Sequence, residues 1–172
     1  MSVLQSKGLS LRAVEAGDTE VIYSIENDTS GWMQSENYLP FSKSVLDKYT
    51  SGEHDLFKHC QYRFMICMES NSEVCGCIDL FDYSSVHSRA GVGIYILDEF
   101  RNLGYAGTAL EMLIDYSKNH LNLRLLHCSI LEDNLNSVKL FSSKGFVKTG
   151  KRENWYLMNL EFKSTLLFQK EL

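Results

Sequence analysis

Apolar and polar residues alternate over Leu9–Val14, the period of a half-buried strand. Within Glu20–Asn27 the period lengthens: Val21, Ile22 and Ile25 recur at helical spacing, and Asp18 or Thr19 is placed to cap that helix. Asp28–Pro40 is polar with scattered aromatics, Trp32 and Tyr38 among them, and reads as a loop ending at the chain's single proline. Ser42 or Ser44 caps a second helix over Val45–Thr50, and Gly52–Gln61 has room for a short helical turn. Tyr62–Met68 and Val74–Phe81 are apolar runs joined by the polar Glu69–Glu73, the pattern of a hairpin. Asp82–Ser88 is a further turn. Ala90–Leu97 is apolar almost throughout, as expected of a strand with both faces buried. Thr108–His120 places Leu110, Leu113, Ile114 and Tyr116 on the inner side of a helix. Leu123–Leu131 reads as a strand. Asn134 caps a helix over Leu135–Ser143 with Gly145 as its stop, and Phe146–Tyr156 and Phe162–Lys170 form a last hairpin.

The order is therefore β-α-α-β-β-β-α-β-α-β-β, an α/β (α+β mixed sheet) arrangement. Val92–Leu131 forms a β-turn-α-β unit, expected to be a right-handed crossover between parallel strands. The 172 residues suit a single domain over residues 1–172 with a sizeable core. The net charge of −5 and the lack of a basic run with interleaved aromatics argue against a nucleic-acid partner. The five cysteines are odd in number, and Cys75-Gly76-Cys77 has neither Cys-x-x-Cys spacing nor a histidine at zinc-ligand distance. They read as free thiols of a reducing cytosol, with no metal. No secretory h-region and no apolar run approaching about 18 residues is visible, so a cytoplasmic protein without a membrane partner is expected.

The chemistry concentrates in Arg101-Asn102-Leu103-Gly104-Tyr105-Ala106-Gly107-Thr108, between a strand and a helix. A helix start offers unpaired N–H groups and the positive end of its dipole, a site for phosphate. Gly104 and Gly107 permit close approach, and Arg101 adds a forked cation. The octet is neither a dinucleotide fingerprint nor a Walker loop, and taken alone it also reads as a tightly packed helix entry.

Two motifs in this order resemble the GCN5-related N-acetyltransferase (GNAT) superfamily. Arg101-x-x-Gly104-x-Ala106 resembles its pyrophosphate loop. Asn134-x-x-Ser137-x-x-Leu140-Phe141-x-x-x-Gly145-Phe146 resembles its second helical motif, Asn-x-x-Ala/Ser-x-x-Leu-Tyr-x-x-x-Gly-Phe. Asp79-Leu80-Phe81-Asp82-Tyr83 followed by His87-Ser88-Arg89-Ala90 is similar to the spermidine/diamine N-acetyltransferases and the neighbouring branch that acts on ribosomal-protein N-termini. The resemblance implies an acyl-CoA N-acyltransferase fold with splayed central strands, acetyl-CoA as co-substrate and a small-molecule amine as acceptor. It implies that backbone groups from Leu103 to Thr108 hold the pyrophosphate. The pantetheine arm would pair with Ile94, Tyr95 and Ile96 like an added strand, at a bulge, and Asn134, Ser137 and Phe141 would lie along that arm. Capping alone also accounts for Asn134 and Ser137.

The implied reaction is direct attack of a primary amine, di- and polyamines among the candidates, on the thioester. Alternatives are acetylation of protein N-termini, or a CoA-binding module with little catalysis. The backbone N–H of Tyr95 or Ile96 would steady the oxyanion. Phe141 stands where the family has a proton-donating tyrosine, with Tyr105 and Tyr83 as substitutes. Gly91 stands where the polyamine enzymes have a glutamate, which leaves Asp79 to bind an ammonium or relay a proton, or to face solvent. Glu26 and Glu36 read as solvated charge or as anchors for a second cationic group. His87 and His127 have suitable basicity, with His127 read as a packing residue. A covalent route through Cys128 ranks far below direct transfer. Trp155 and Tyr156 line either the acceptor pocket or a homodimer contact.

Overall fold

The computed structural model describes residues 4–29, 39–158 and 160–172. Along these the chain forms β1 (Gln5–Ser6), β2 (Leu9–Ala13), α1 (Thr19–Glu26), α2 (Lys43–Thr50), α3 (Leu56–His59), β3 (Tyr62–Met68), β4 (Val74–Ser84), β5 (Arg89–Ile96), α4 (Tyr105–Asn119), β6 (Leu125–Leu131), α5 (Leu135–Ser143), β7 (Val147–Met158) and β8 (Glu161–Glu171). The eight strands make one sheet in the order β1-β2-β3-β4-β5-β6-β8-β7. Every neighbouring pair is antiparallel except β5 and β6, which the α4 crossover joins in parallel.

Alternation along the strands divides the core in two. On one face Phe64, Ile66, Ile78, Leu80, Val92 and Ile96 pack against Ala109, Leu110, Met112 and Leu113 of α4, with Phe141 of α5 in the same cluster. On the other, Met65, Cys67 and Cys77 meet Ile22 and Ile25 of α1 and Leu46 of α2. The sheet is thus a middle layer between helices, which is why so many of its strand residues are apolar. Four cysteines are buried thiols, while Cys60 is exposed. Among the described residues no helix is long and apolar enough to cross a membrane, and no group of His, Cys, Asp or Glu is placed to hold a metal ion.

The α5 stop shows how a sequence motif becomes geometry. Gly145 takes φ 81°, a conformation that a Cβ disfavours. The Phe146 N–H then donates to the Phe141 carbonyl at 3.1 Å and the Gly145 N–H to that of Ser142 at 3.0 Å. This is a Schellman closure, and the Phe141 and Phe146 rings make its apolar contact edge-to-face at 5.0 Å.

Most departures from the sequence expectation lie at element ends. The two-residue β1 lacks a readable period. Helix α4 starts at Tyr105 rather than Thr108, because Gly104 at φ 81° turns the chain into the helix one turn earlier. The strand expected over Ala90–Leu97 spans Arg89–Ile96 and is half-exposed at Gly93, Ile94 and Tyr95. Most of the loop expected over Asp28–Pro40, with Trp32, Glu36 and Tyr38, lies outside the described residues.

Gly76 fixes the spacing of β4 and β5: a Cβ built there would fall 2.2 Å from the Tyr95 carbonyl oxygen. Gly76→Ala is expected to destabilise the fold by about 1–3 kcal/mol as the strands shift to admit the methyl. Thermal denaturation followed by circular dichroism would register this as a Tm lowered by at least about 3 °C.

Candidate active site

β5 and β6 are paired only from Arg89↔Leu125 to Gly91↔His127. Beyond that point β5 stays with β4 as far as Ile96, and β6 stays with β8 as far as Leu131↔Thr165. The two strands therefore part, each following its antiparallel neighbour. The bulge expected at Ile94–Ile96 is not found: the register of β5 on β4 is regular from Gly91 to Ile96, and its shift falls instead between Phe81 and Ser84. The edge opens because β6 leaves it.

The direction of the backbone groups follows from one hydrogen bond. The Leu97 N–H donates to the Cys75 carbonyl at 3.0 Å, toward β4. Successive N–H groups of a strand point to opposite edges. Ile96 and Ile94 thus aim their N–H groups into the gap, and Tyr95 aims its own at β4. Of the two oxyanion donors expected from the sequence, Ile96 has the required direction and Tyr95 does not.

The open edge runs on to the start of α4. Asn102 and Gly104 both take left-handed φ, 63° and 81°. Within the helix the first donor is the Thr108 N–H, bonded to the Gly104 carbonyl at 3.2 Å. Tyr105, Ala106 and Gly107 precede it and have no intrahelical acceptor, so Thr108 drops out of the expected donor set. The Arg101 Nε donates to the Ile96 carbonyl at 3.0 Å, and Nη2 pairs with Asp98 at 2.7 Å. The guanidinium stands 5.6 Å from the centre of the Tyr95 ring, which holds the cation between strand end and helix start. The Lys144 stem, missed in the sequence, lies near Gly107, and its ammonium pairs with Glu111 at 2.6 Å. A strand edge with N–H groups facing a gap, leading to a helix start whose first N–H groups lack intrahelical acceptors, fits an extended arm that ends in a diphosphate.

On the α1/α2 face the charges form a set. Arg63 donates from Nε and Nη2 to the two oxygens of Asp79, both at 2.8 Å, and from Nη1 to Glu26 at 2.5 Å. Burial, the largest single effect, opposes the guanidinium charge, but its neighbours together, Asp79 first, outweigh it and push the Arg63 pKa well above its ordinary value. Asp79 is therefore bound to Arg63 and does not stand as a free base. Arg63 escaped the sequence reading, although an arginine inside an apolar strand run was a readable signal. The Tyr95 hydroxyl donates to Asp28 at 2.8 Å, and burial followed by that bond pushes its pKa up to about 12. Burial likewise pushes the Cys77 and Cys128 thiols to about 12. Both are protonated at neutral pH, which removes the activation a covalent Cys128 route needs.

The second motif is mostly structural. Asn134 accepts from the Ser137 N–H at 3.1 Å, as a helix cap. Phe141 is 3% exposed and turned into the core; it offers a ligand no surface, contrary to its expected place along the arm. The hydroxyl of Tyr105 meets the Met68 sulfur at 3.6 Å, and Tyr83 packs edge-on against Phe57. His87 is exposed in its turn, and Trp155 is exposed on β7, the outermost strand.

Residues 9–147 match the acetyltransferase (GNAT) domain family. A spermidine N(1)-acetyltransferase of Vibrio cholerae is 28% identical over 154 residues, which cover 88% of this chain and 86% of that protein. One from Escherichia coli K12 is 26% identical, over 92% of this chain and 83% of its own. The crystal structure of spermidine N-acetyltransferase from Vibrio cholerae in complex with CoA and spermine superimposes with a TM-score of 0.85 over 96% of both chains, at 23% identity. The parted strands, the loop at the start of α4 and the family match agree: the chain belongs to the GNAT family and is an N-acetyltransferase.

Proposed function

We propose that this protein transfers the acetyl group of acetyl-CoA to a small cationic primary amine, a di- or polyamine, by direct attack of the amine. The observation that carries the proposal is the open edge of β5 leading to the unpaired N–H groups of Tyr105, Ala106 and Gly107. Ile94 and Ile96 hold the arm of the donor, and the Ile96 N–H steadies the oxyanion. Arg101, Asn102, Leu103 and Gly104 close around the diphosphate with the first turn of α4, and Ser137 borders the arm. Bound acetyl-CoA supplies a thioester whose carbonyl carbon is open to attack.

The acceptor enters from the α1/α2 face. Glu26 and Asp79 stand there on the half-buried Arg63, and Asp28 on the Tyr95 hydroxyl. One arginine among three carboxylates leaves the face negative, which favours an ammonium ligand. The relatives named as spermidine N-acetyltransferases support the same acceptor class. Asp79, locked to Arg63, shapes the field of this face and is not the proton acceptor. Phe141 has no proton to give, and a thiol of pKa about 8.5 leaves as thiolate without one. The exposed apolar residues Trp155, Leu157 and Phe162 of the last hairpin support self-association, and a spermidine N-acetyltransferase from Vibrio cholerae that shares this fold has a dodecameric structure.

Thiol release from acetyl-CoA, followed against spermidine, putrescine, benzylamine and an N-terminal peptide, tests the proposal. The expected ranking places spermidine and putrescine above both others. Faster turnover of the peptide contradicts the acceptor class, and acetyl-CoA binding without turnover on any of the four amines contradicts the transferase reading.

Arg63→Met leaves Glu26 and Asp79 beside each other without their cation. This is expected to lower stability by about 3 kcal/mol, as for a broken partly buried ion pair. Urea denaturation of both proteins at pH 7.5 checks the size and the direction.

A further inference from the structure

Tyr95 lies between Ile94 and Ile96, whose N–H groups face the gap between β5 and β6. Side chains of successive strand residues go to opposite faces of a sheet. Ile94 and Ile96 pack on the α4 face. Tyr95 goes to the α1/α2 face, against the cluster that holds Ile22, Ile25 and Leu46. The Arg101 guanidinium lies over its ring, 5.6 Å from the centre, and Arg101 is itself tied by its Nε to the Ile96 carbonyl at 3.0 Å. The ring is thus held at the end of the open edge, and its hydroxyl donates to Asp28 Oδ2 at 2.8 Å.

Asp28 follows α1 and is held from that side as well. Its N–H donates to the Ile25 carbonyl at 3.3 Å. The side chain of the preceding Asn27 accepts from the Phe41 N–H at 2.9 Å and donates to the Phe41 carbonyl at 3.1 Å, which ties residue 27 to residue 41. Asp28 and Tyr95 are both half-buried, so water competes less for the bond between them. The donor in that bond is neutral. It orients the carboxylate and leaves its charge in place, whereas both oxygens of Asp79 meet the Arg63 cation. A carboxylate accepts at about four lone-pair positions, so one hydroxyl leaves room for an ammonium. The length of a tyrosine side chain separates this carboxylate from the strand whose Ile96 N–H faces the thioester. That separation suits a second nitrogen several bonds along the acceptor, and not the attacking one.

We infer that Tyr95 is a positioning residue of the acetyl transfer: it holds Asp28 to receive the far ammonium of a diamine while the near nitrogen meets the thioester beside Ile96. The inference rests on the acetyltransferase reading above and deepens it, because it names the contact that selects an acceptor with two cationic groups over one with a single group. Putrescine has both. Butylamine has the same carbon chain without the second nitrogen and gives Asp28 nothing to bind.

The test compares wild type, Tyr95→Phe and Asp28→Asn on putrescine and butylamine. Wild type is expected to prefer putrescine in kcat/KM. Tyr95→Phe is expected to lower the putrescine-to-butylamine ratio about ten-fold, the usual size of one hydrogen bond to a charged group, with most of the change in the KM for putrescine. Asp28→Asn lowers the ratio at least as far. The Kd of Tyr95→Phe for acetyl-CoA stays within about two-fold of wild type, since the ring remains beneath Arg101. A wild-type ratio near one overturns the inference. So does a Tyr95→Phe variant that keeps the wild-type ratio or loses both amines equally, as a loosened fold would. A second measurement needs no turnover. Calorimetry with putrescine titrated into the complex with CoA is expected to give a Kd about ten-fold weaker in Tyr95→Phe than in wild type. An unchanged Kd, or no binding of putrescine by wild type, overturns the inference as well. A wild-type protein that binds acetyl-CoA yet acetylates neither amine counts against the transferase reading, and the calorimetry then decides the role of Tyr95 by itself.

Discussion

Backbone N–H and C=O groups at a sheet edge must find partners in protein, water or ligand. In the middle of a sheet such groups are normally satisfied by the next strand. Here the parallel β5–β6 pair stops at Gly91↔His127 while both strands continue, which leaves one edge of a central strand open. No irregularity in β5 itself is needed, because its register on β4 is regular up to Ile96. The opening arises because β6 follows β8 and β5 follows β4. Each strand is held on its outer side by an antiparallel ladder, so the gap costs only the pairing between them.

The gap also organises charge. At its open end Arg101 is tethered by its Nε to the last carbonyl of β5, beside the first turn of α4. Near its closed end the α1/α2 face carries Arg63 between Asp79 and Glu26. In the proposed reading, the start of α4 takes the diphosphate of the donor and the carboxylates of the α1/α2 face favour a cationic acceptor, so that the two substrates would be oriented from opposite sides of the gap before any bond changes.

The elements with long, clean periods were legible in the sequence. Tyr62–Met68 and Leu135–Ser143 have the expected bounds, and Asn134 and Gly145 cap and stop α5 as their residue types imply. The glycine-bearing turn into α4 was legible as well, because glycine at left-handed φ and a following helix have local signatures. What failed to show depends on contacts distant in sequence. The pairing of Arg63 with Asp79 and Glu26 joins two strands and a helix. The direction of the Tyr95 N–H depends on the register with β4. The burial of Phe141 follows from a helix stop that uses its ring. That His127 lies opposite Gly91 was hidden because only the strand order sets that pair, and only the missing side chain at 91 lets Phe81 settle beside it.

Amide hydrogen exchange with and without acetyl-CoA tests most directly whether the open edge of β5 and the start of α4 form the donor site. The account predicts that saturating acetyl-CoA slows exchange at Ile94, Ile96, Tyr105, Ala106 and Gly107, and leaves Tyr95, already bonded to β4, unchanged. Unaltered exchange across residues 94–107, or protection confined to another part of the sheet, would contradict it.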